Sequence, residues 1–280
     1  MSSSFKAACV QTSSQLDMDA NLEAASALVR DAADNGAQMV LMPENVSLMG
    51  TNREQALAMA VPEARHKALP VFTELAREKG VWLMVGSLSV RLDEAGGGED
   101  MLANRSLLIS DQGEIMARYD KIHMFDVNIE GGESHRESET YRPGAHAVVA
   151  ATPWGGLGMT ICYDLRFPYL YRSLAQAGAH FLSVPSAFTR VSGRAHWHVL
   201  LRARAVETGC YIFAPAQCGD HANDRQTYGH SLIIDPWGKI LAEAGESPCV
   251  IAADIDPSRV AAVRAMIPSL EHDRKFTPLA

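Results

Sequence analysis

The stretch "SLLISDQGEIMA", residues 106–117, is matched later in the chain by "SLIIDPWGKILA", residues 231–242. Both stretches follow the pattern S-L-x-I-x-x-x-G-x-I-x-A, in which two apolar runs flank a turn that contains glycine. Such a pattern is typical of two β-strands joined in a hairpin. Two hairpins of the same design suit two similar halves, whose sheets pack face to face. The predicted fold is therefore α/β, a four-layer αββα sandwich of two stacked mixed sheets with outer helices.

The first half alternates between strands and helices. Apolar residues recur at helical spacing from about residue 21 to residue 35, where Asp19 can cap the start of a helix and Gly36 its end. The Gly-rich stretch "DEAGGGED", residues 93–100, indicates a flexible turn. Strands are predicted for three apolar runs, "FKAACVQ" (5–11), "AQMVLMPEN" (37–45) and "VWLMVGSLSV" (81–90).

The second half repeats this alternation. The stretch "AVVAATPWGGLGMTICYD", residues 147–164, predicts a strand pair, and "RAHWHVLLRARAVETG", residues 194–209, predicts an amphipathic helix. His196 and His198 are two positions apart on that helix and point in different directions, which argues against a metal site made by this pair. A packing role for Trp197 and a surface or interface role for the histidines fits the pattern better.

Length and composition fit one large domain spanning residues 1–280. A chain of 280 residues with 47% hydrophobic content can bury a substantial core. The sequence has no apolar run of the roughly 18 to 20 residues that cross a bilayer, and "MSSSFKAACVQ" lacks the charged and apolar segments of a signal peptide. We expect a soluble, cytoplasmic protein with no membrane partner.

Cysteine usage and charge argue against a disulfide-stabilised protein, a zinc ribbon and a nucleic-acid-binding protein. The five cysteines are odd in number and never spaced as C-x-x-C, so neither a disulfide framework nor a zinc ribbon is indicated. The formal net charge is -8, and Lys and Arg are dispersed along the chain. Without a basic stripe to neutralise phosphates, nucleic acid is not an expected partner.

Three potentially reactive side chains, Glu44, Lys121 and Cys162, each follow a predicted strand. Taken singly, each has an ordinary explanation, because a buried cysteine packs in a core and a lone Glu or Lys is solvated. Ligands in α/β sheets gather beyond the carboxyl ends of strands, so the shared position favours a single crevice. A thiol nucleophile must be activated, with Glu44 as the base and Lys121 as the cation. Together these three side chains supply the nucleophile, the base and the cation that covalent acyl transfer requires.

Four segments carry a resemblance to a known family: "LMPEN" around Glu44, "YDKIHMFD" around Lys121, "ESETYRPG" from Glu137 and "ICYDLRFP" around Cys162. In this order they resemble the nitrilase or carbon-nitrogen hydrolase superfamily, from residue 6 to about residue 275. The later segments "SAFTRVSGRAHWHVLLRARAVETGCYIFAPAQCG" and "YGHSLIIDPWG" are most similar to the branch of deaminated glutathione amidases.

The resemblance implies an amidase with a Glu-Lys-Cys triad that cleaves a linear amide through a thioester on Cys162. The implied substrate is deaminated glutathione, which gives 2-oxoglutarate and cysteinylglycine. Glu44 would take the thiol proton, and Lys121 with the backbone N–H of Tyr163 would stabilise the oxyanion. No metal or organic cofactor is implied. One departure from the family is Tyr169, where a glutamate is usual.

The resemblance also implies roles for residues around the triad. Glu137 matches a second glutamate that helps to orient the lysine, although a solvated carboxylate in a polar loop is the alternative. Arg166 and Ser192 would hold a carboxylate of the substrate, since a guanidinium suits a bidentate grip. Arg166 could instead pair with Asp164. A homodimer is implied as well.

Other functions stay open at this point. An omega-amidase acting on 2-oxoglutaramate, a nitrilase and an N-carbamoyl amide hydrolase share the same scaffold. A catalytically silent binding protein is a further alternative, because a fold does not guarantee activity, but the complete triad argues against it. A papain-type hydrolase fits poorly, because no recognisable segment ties a histidine to Cys162.

Overall fold

Two mixed sheets stack face to face in the computed structural model, which describes residues 3–92, 101–129 and 134–277. The predicted turn at residues 93–100 lies outside the described residues. The helices are α1 (Met18–Asp34), α2 (Arg53–Met59), α3 (Ala68–Lys79), α4 (Pro168–Gln176), α5 (Arg190–Thr208) and α6 (Ser258–Met266). The strands are β1 (Phe5–Gln11), β2 (Met39–Leu41), β3 (Trp82–Arg91), β4 (Leu102–Ile109), β5 (Ile115–Asp120), β6 (Asp126–Asn128), β7 (Ser134–Arg136), β8 (Val148–Thr152), β9 (Gly155–Met159), β10 (Ala179–Ser183), β11 (Tyr211–Ala214), β12 (Cys218–Asp220), β13 (Gln226–Tyr228), β14 (Leu232–Ile234), β15 (Ile240–Glu243) and β16 (Cys249–Ile255).

The two large sheets have the same internal design. The strand order is β16-β1-β2-β3-β4-β5 in the first sheet and β8-β9-β10-β11-β14-β15 in the second. In each order the second, third and fourth strands run parallel, and the other neighbours pair antiparallel. The matched sequence stretches form the hairpins β4–β5 and β14–β15, which lie at equivalent edges of the two sheets.

Alternation along β1 shows why both faces of the first sheet are buried. Phe5, Ala7 and Cys9 belong to the core between the sheets, whereas Ala8 and Val10 belong to the core beneath α1 and α3. Helices α4 and α5 pack on the other side of the second sheet, against β10 and β11. Full burial of one large apolar side chain contributes about 1.5–3 kcal/mol, so these interfaces hold the layers together. The predicted αββα sandwich is confirmed.

Helix α1 has one capping residue that differs from the predicted one. The side chain of Asp17 accepts a hydrogen bond from the N–H of Ala20, so the helix begins at Met18. Asp19 lies in the first turn, and the prediction that it caps the helix is wrong. At the other end Gly36 has a φ of +85°, the left-handed conformation that commonly follows a helix. Its predicted place is confirmed.

The helices also differ from the prediction in length and number. Helix α5 begins at Arg190 rather than at residue 194, because the side chain of Thr189 accepts a hydrogen bond from the N–H of Ser192 and caps the helix. Ser192 therefore lies in its first turn. Helices α2 and α6 were not predicted. Within the described ranges, none of the helices combines the length and apolar character that crossing a membrane requires.

Candidate active site

Glu44, Lys121 and Cys162 line one cavity of about 640 Å³. Glu44 lies three residues beyond the end of β2, Lys121 directly follows β5, and Cys162 lies three residues beyond the end of β9. The first two side chains therefore come from the first sheet, and the thiol comes from the second. The structure brings the three together, as their positions at strand ends predicted.

Lys121 is the centre of a buried ion cluster. Its ammonium lies 3.0 Å from Glu44 Oε1 and 2.9 Å from Glu137 Oε2, and only 2% of the residue is exposed. Burial lowers the pKa of Lys121, but the carboxylates of Glu137 and Glu44 raise that pKa more, so it lies well above its ordinary value. Glu137 is held in turn by the backbone N–H of Phe125, which donates to Oε2 at 2.6 Å. Lys121 is thus a fixed cation.

Glu44 is aligned by donors from both halves of the protein. Lys121 and the side-chain amide of Asn104 donate to Oε1, and the backbone N–H of Ala187 donates to Oε2 at 2.8 Å. A carboxylate offers about four lone-pair sites, so these three donors leave one site on Oε2 for a further proton. Asn104 was missed in the sequence because its β-strand was predicted to begin only at Ser106.

Cys162 has a backbone conformation that is unusual for a residue with a Cβ atom. Its φ is +49°, and its N–H donates to the carbonyl of Pro185 at 2.9 Å at the start of a 3₁₀ turn. Burial and then the charge of Glu44 raise the pKa of the thiol well above its ordinary value. Lys121 and the N–H of Ala187 lower that pKa but do not offset the rise. The thiol is therefore protonated at neutral pH.

Asp164 fixes the position of the thiol segment relative to the lysine segment. This fully buried carboxylate accepts hydrogen bonds from the Tyr119 hydroxyl at 2.6 Å and from the backbone N–H of His123 at 3.0 Å. Tyr119 and His123 flank Lys121 on either side, and Asp164 lies two residues beyond Cys162. Its bonds therefore join the segments that carry the cation and the thiol.

The predicted substrate-binding residues differ in how they meet the cavity. Tyr163 and Ser192 line it. Among the described residues Arg166 is not part of the lining. Its guanidinium lies 5.7 Å from the ring centroid of Tyr163 and 5.4 Å from that of Phe188, and it contacts His196 Nδ1 at 3.2 Å. Arg166 therefore contacts the rings of two residues that line the cavity.

Two further expectations concern the neighbours of Asp164. The alternative pairing of Arg166 with Asp164 is wrong, because no ion pair joins them in the part of the chain that the structure describes. Tyr169, the departure from the family pattern, is 63% exposed, and its hydroxyl hydrogen-bonds His123 Nε2. Since His123 Nδ1 contacts Asp164 at 2.6 Å, Tyr169 extends this network rather than the cavity wall.

Cationic side chains that sequence reasoning did not find also line the cavity. They come from loops and short elements: Arg53, Arg136 and Arg225. Arg225 contacts His135 Nε2 at 2.8 Å and donates to the carbonyl of Ala187 at 2.8 Å. No pattern in the sequence marks these residues, because their place at the cavity depends on how distant loops meet.

Comparison with known proteins agrees with this geometry. The family model described as carbon-nitrogen hydrolase matches residues 6–265. The chain is 44% identical over 250 residues to a deaminated glutathione amidase of Yersinia enterocolitica, and the match covers 88% of this chain and 85% of that protein. The family predicted from the sequence, with its deaminated glutathione amidase branch, is confirmed.

Solved structures share the fold over nearly the whole chain. The crystal structure of the C. elegans NitFhit protein has a TM-score of 0.89 at 37% identity and covers 98% of this chain, which spans 66% of that longer chain. A glutamate-to-glutamine mutant of the amidase from Nesterenkonia sp. AN1 has a TM-score of 0.80 at 25% identity, covering 96% of this chain and 94% of that chain. It carries the acetamide moiety of fluoroacetamide, covalently added at the active site cysteine. This chain belongs to the carbon-nitrogen hydrolase family, and it is a hydrolase of carbon–nitrogen bonds other than peptide bonds.

Proposed function

We propose that the protein hydrolyses deaminated glutathione to 2-oxoglutarate and cysteinylglycine through a thioester on Cys162. The observation that carries this proposal is the buried ion cluster of Glu44, Lys121 and Glu137, which lines the same cavity as the thiol. Burial of three charges is costly even when they are paired. Clusters of this kind beside a nucleophile in a cleft are typical of active sites.

In the first step Glu44 acts as the general base. Because the Cys162 thiol is protonated at neutral pH, the nucleophile forms only as its proton passes to Glu44 and the sulfur attacks the amide carbonyl. The carbonyl oxygen then gains negative charge, which Lys121 and the backbone N–H of Tyr163 stabilise. Glu137 keeps Lys121 oriented during this step.

The second step releases the amine and then the acid. The C–N bond breaks as the leaving amine takes the proton from Glu44, which frees cysteinylglycine and leaves a thioester on Cys162. A water molecule gives a proton to Glu44, and its oxygen attacks the thioester carbonyl. The C–S bond then breaks, the sulfur regains the proton from Glu44, and 2-oxoglutarate leaves.

Two observations support the nucleophile and the substrate. The related Nesterenkonia amidase has its adduct on the active site cysteine, which supports Cys162 as the equivalent nucleophile. The name of the Yersinia relative supports deaminated glutathione as the substrate. A cavity of about 640 Å³ lies in the range of roughly 300–1,000 Å³ typical of small-molecule sites and has room for a tripeptide-sized amide. We propose that Ser192, in the cavity lining, and Arg166, beside the lining residues Tyr163 and Phe188, bind its 2-oxo acid end.

Mass spectrometry after brief exposure to deaminated glutathione tests this proposal. We expect a 2-oxoglutaryl adduct on the wild-type protein and none on the Cys162→Ala variant. Steady-state kinetics should give a higher kcat/KM for deaminated glutathione than for 2-oxoglutaramate. The opposite order would make the protein an omega-amidase, and the absence of both adduct and amide turnover would favour the silent binding protein.

We also propose a cytoplasmic homodimer in which each chain acts as one domain. The base and the thiol come from different sheets, so one active site needs both halves. Val191, Val199 and Val206 of α5 are each more than half exposed, with Trp237 near Val206. This apolar surface suits a partner helix. Light scattering should give a dimer mass for the wild type and a monomer mass for Val199→Glu, and an unchanged mass would argue against α5 as the interface.

A further inference from the structure

His198, His230 and Glu243 form a cluster on the outer side of the second sheet, away from the active-site cavity. His198 belongs to α5, His230 lies between β13 and β14, and Glu243 ends β15. One nitrogen from each ring and one carboxylate oxygen all lie within 4.8 Å of one another. We propose that these three side chains bind one divalent transition-metal ion, such as zinc.

The spacing of the three atoms suits such an ion. In a tetrahedral zinc site, bonds of about 2.0–2.2 Å place neighbouring ligand atoms roughly 3.3 Å apart. His230 Nδ1 lies 3.3 Å from Glu243 Oε1, and His198 Nε2 lies 2.9 Å from the same oxygen. Two imidazoles and a carboxylate are ligands that zinc, nickel and cobalt accept, and a water molecule can take the fourth position.

Surrounding residues hold the two rings in place. Tyr228 stacks on His230 with 4.4 Å between ring centroids, and it meets His198 edge-on at 6.0 Å. The indole N–H of Trp197 donates to the carbonyl of His230 at 2.7 Å, which ties that loop to α5. The second ring nitrogen of His230 lies 3.9 Å from Glu246 Oε1, which is beyond hydrogen-bond distance.

An ion can reach this cluster from solvent. The side chains of His198, His230 and Glu243 are 32%, 21% and 39% exposed. None of the three is among the cavity-lining residues, so the ion would link α5 to the neighbouring loop and strand without entering the amidase reaction. His196 takes no part in this site, and the partners of His198 come from other segments of the chain.

Isothermal titration calorimetry of metal-free, tag-free protein with ZnCl₂ tests the site. We expect one ion per chain and a higher Tm in its presence. His198→Ala and Glu243→Gln should each weaken binding by more than about 100-fold, because each removes a ligand rather than an outer partner. His272→Ala, at an exposed histidine elsewhere, is the matched control and should bind as the wild type does.

Cobalt spectroscopy separates this site from the thiols. Co²⁺ bound by His198, His230 and Glu243 should give visible bands without a thiolate charge-transfer band, and the Cys162→Ala variant should bind it equally well. The proposal is overturned if the wild type takes up no zinc, if folded His198→Ala and Glu243→Gln retain full affinity, or if a thiolate band accompanies uptake. Because Cys162→Ala retains the site, these outcomes are independent of the amidase proposal.

Discussion

The two halves of the molecule share a strand order but differ at the ends of equivalent strands. Strand β2 is followed by "MPE", which ends at Glu44, and its counterpart β10 is followed by "VPS", which ends at Ser186. Glu44 is a buried carboxylate bound to Lys121. The hydroxyl of Ser186 donates to the carbonyl of Val184 at 3.0 Å, within its own loop. The same turn therefore presents a carboxylate paired with Lys121 in one half and a neutral, locally bonded side chain in the other.

A second pair of equivalent positions differs in the same way. Met159 of β9 and Cys9 of β1 occupy equivalent places in the two strand registers. Cys162 and Thr12 each lie three residues further along, so these two residues correspond. The Thr12 hydroxyl donates to Gln217 Oε1 at 3.0 Å, and the amide of Gln217 donates to the backbone carbonyl of Glu44 at 2.9 Å. The neutral network thus holds the backbone of Glu44 in the buried ion cluster. Shared topology does not bring shared chemistry, because the side chains at the strand ends decide it.

Exchanging Cys162, the proposed nucleophile, should give the largest contrast between equivalent positions. We expect Cys162→Ala to lower kcat/KM by at least about 10⁴-fold, because the thioester cannot form. Thr12→Ala should instead retain most of the activity and lower the free energy of unfolding by about 0.5–1.5 kcal/mol, because Gln217 Oε1 loses one donor but keeps the N–H of Ser14. Amidase assays and urea denaturation of both variants measure this contrast. Comparable losses of rate in the two variants would contradict it.

The next contrast concerns Glu44, the proposed base. Glu44→Gln should lower kcat by about 10²- to 10⁴-fold, since the amide has nearly the same shape but cannot accept the thiol proton. Ser186→Ala is the matched variant in the second half, and its kcat should stay close to that of the wild type. If Glu44→Gln turned over deaminated glutathione at the wild-type rate, another residue would have to be the base.

Gly86 of the first half corresponds by strand register to Pro215 of the second half. A substitution at Gly86 tests how closely β3 packs against the segment that follows β2. A Cβ atom at this glycine would lie 1.8 Å from the carbonyl oxygen of Met42. Gly86→Ala should therefore lower the free energy of unfolding by about 3 kcal/mol and displace Glu44. Gly245→Ala is the control, because an added Cβ there has no atom within 4 Å, and guanidinium denaturation should show it almost unchanged.

Backbone strain at Cys162 should give a smaller effect, of about 1 kcal/mol. Because its φ is +49°, the inactive Cys162→Gly variant should be more stable than the inactive Cys162→Ala variant. Glycine at an ordinary φ would have the opposite effect on the unfolding free energy. Thermal denaturation of the two variants distinguishes these outcomes, and a lower Tm for Cys162→Gly would show that no strain is relieved.

The smallest expected effect is on the titration of the thiol. The negative charge of Glu44 raises the pKa of Cys162, so its removal in Glu44→Gln should lower that pKa and shift iodoacetamide alkylation to lower pH. Ser186→Ala should leave the profile unchanged. A shift of the Glu44→Gln profile to higher pH would mean that the carboxylate stabilises the thiolate.

The sequence predicted the layers of the fold and the meeting of three reactive side chains, because hairpin repetition and strand-end positions are local signals. It did not reveal Asn104 or Asp164, whose roles depend on contacts with segments far along the chain. It also missed the early start of α5, since the residues before position 194 lack an apolar period and only the cap at Thr189 sets the boundary. The three arginines of the cavity depend on loop geometry in the same way.

The pairing of β1 with β16 has a consequence for the order in which the first sheet assembles. Phe5 pairs with Ile255, 250 residues further along the chain, so this contact closes a very long loop and should form late in folding. Until β16 arrives, β1 has an open edge, which is a template for unwanted pairing with other chains. Residues 249–255 therefore act as a protective edge strand for the sheet that carries Glu44 and Lys121.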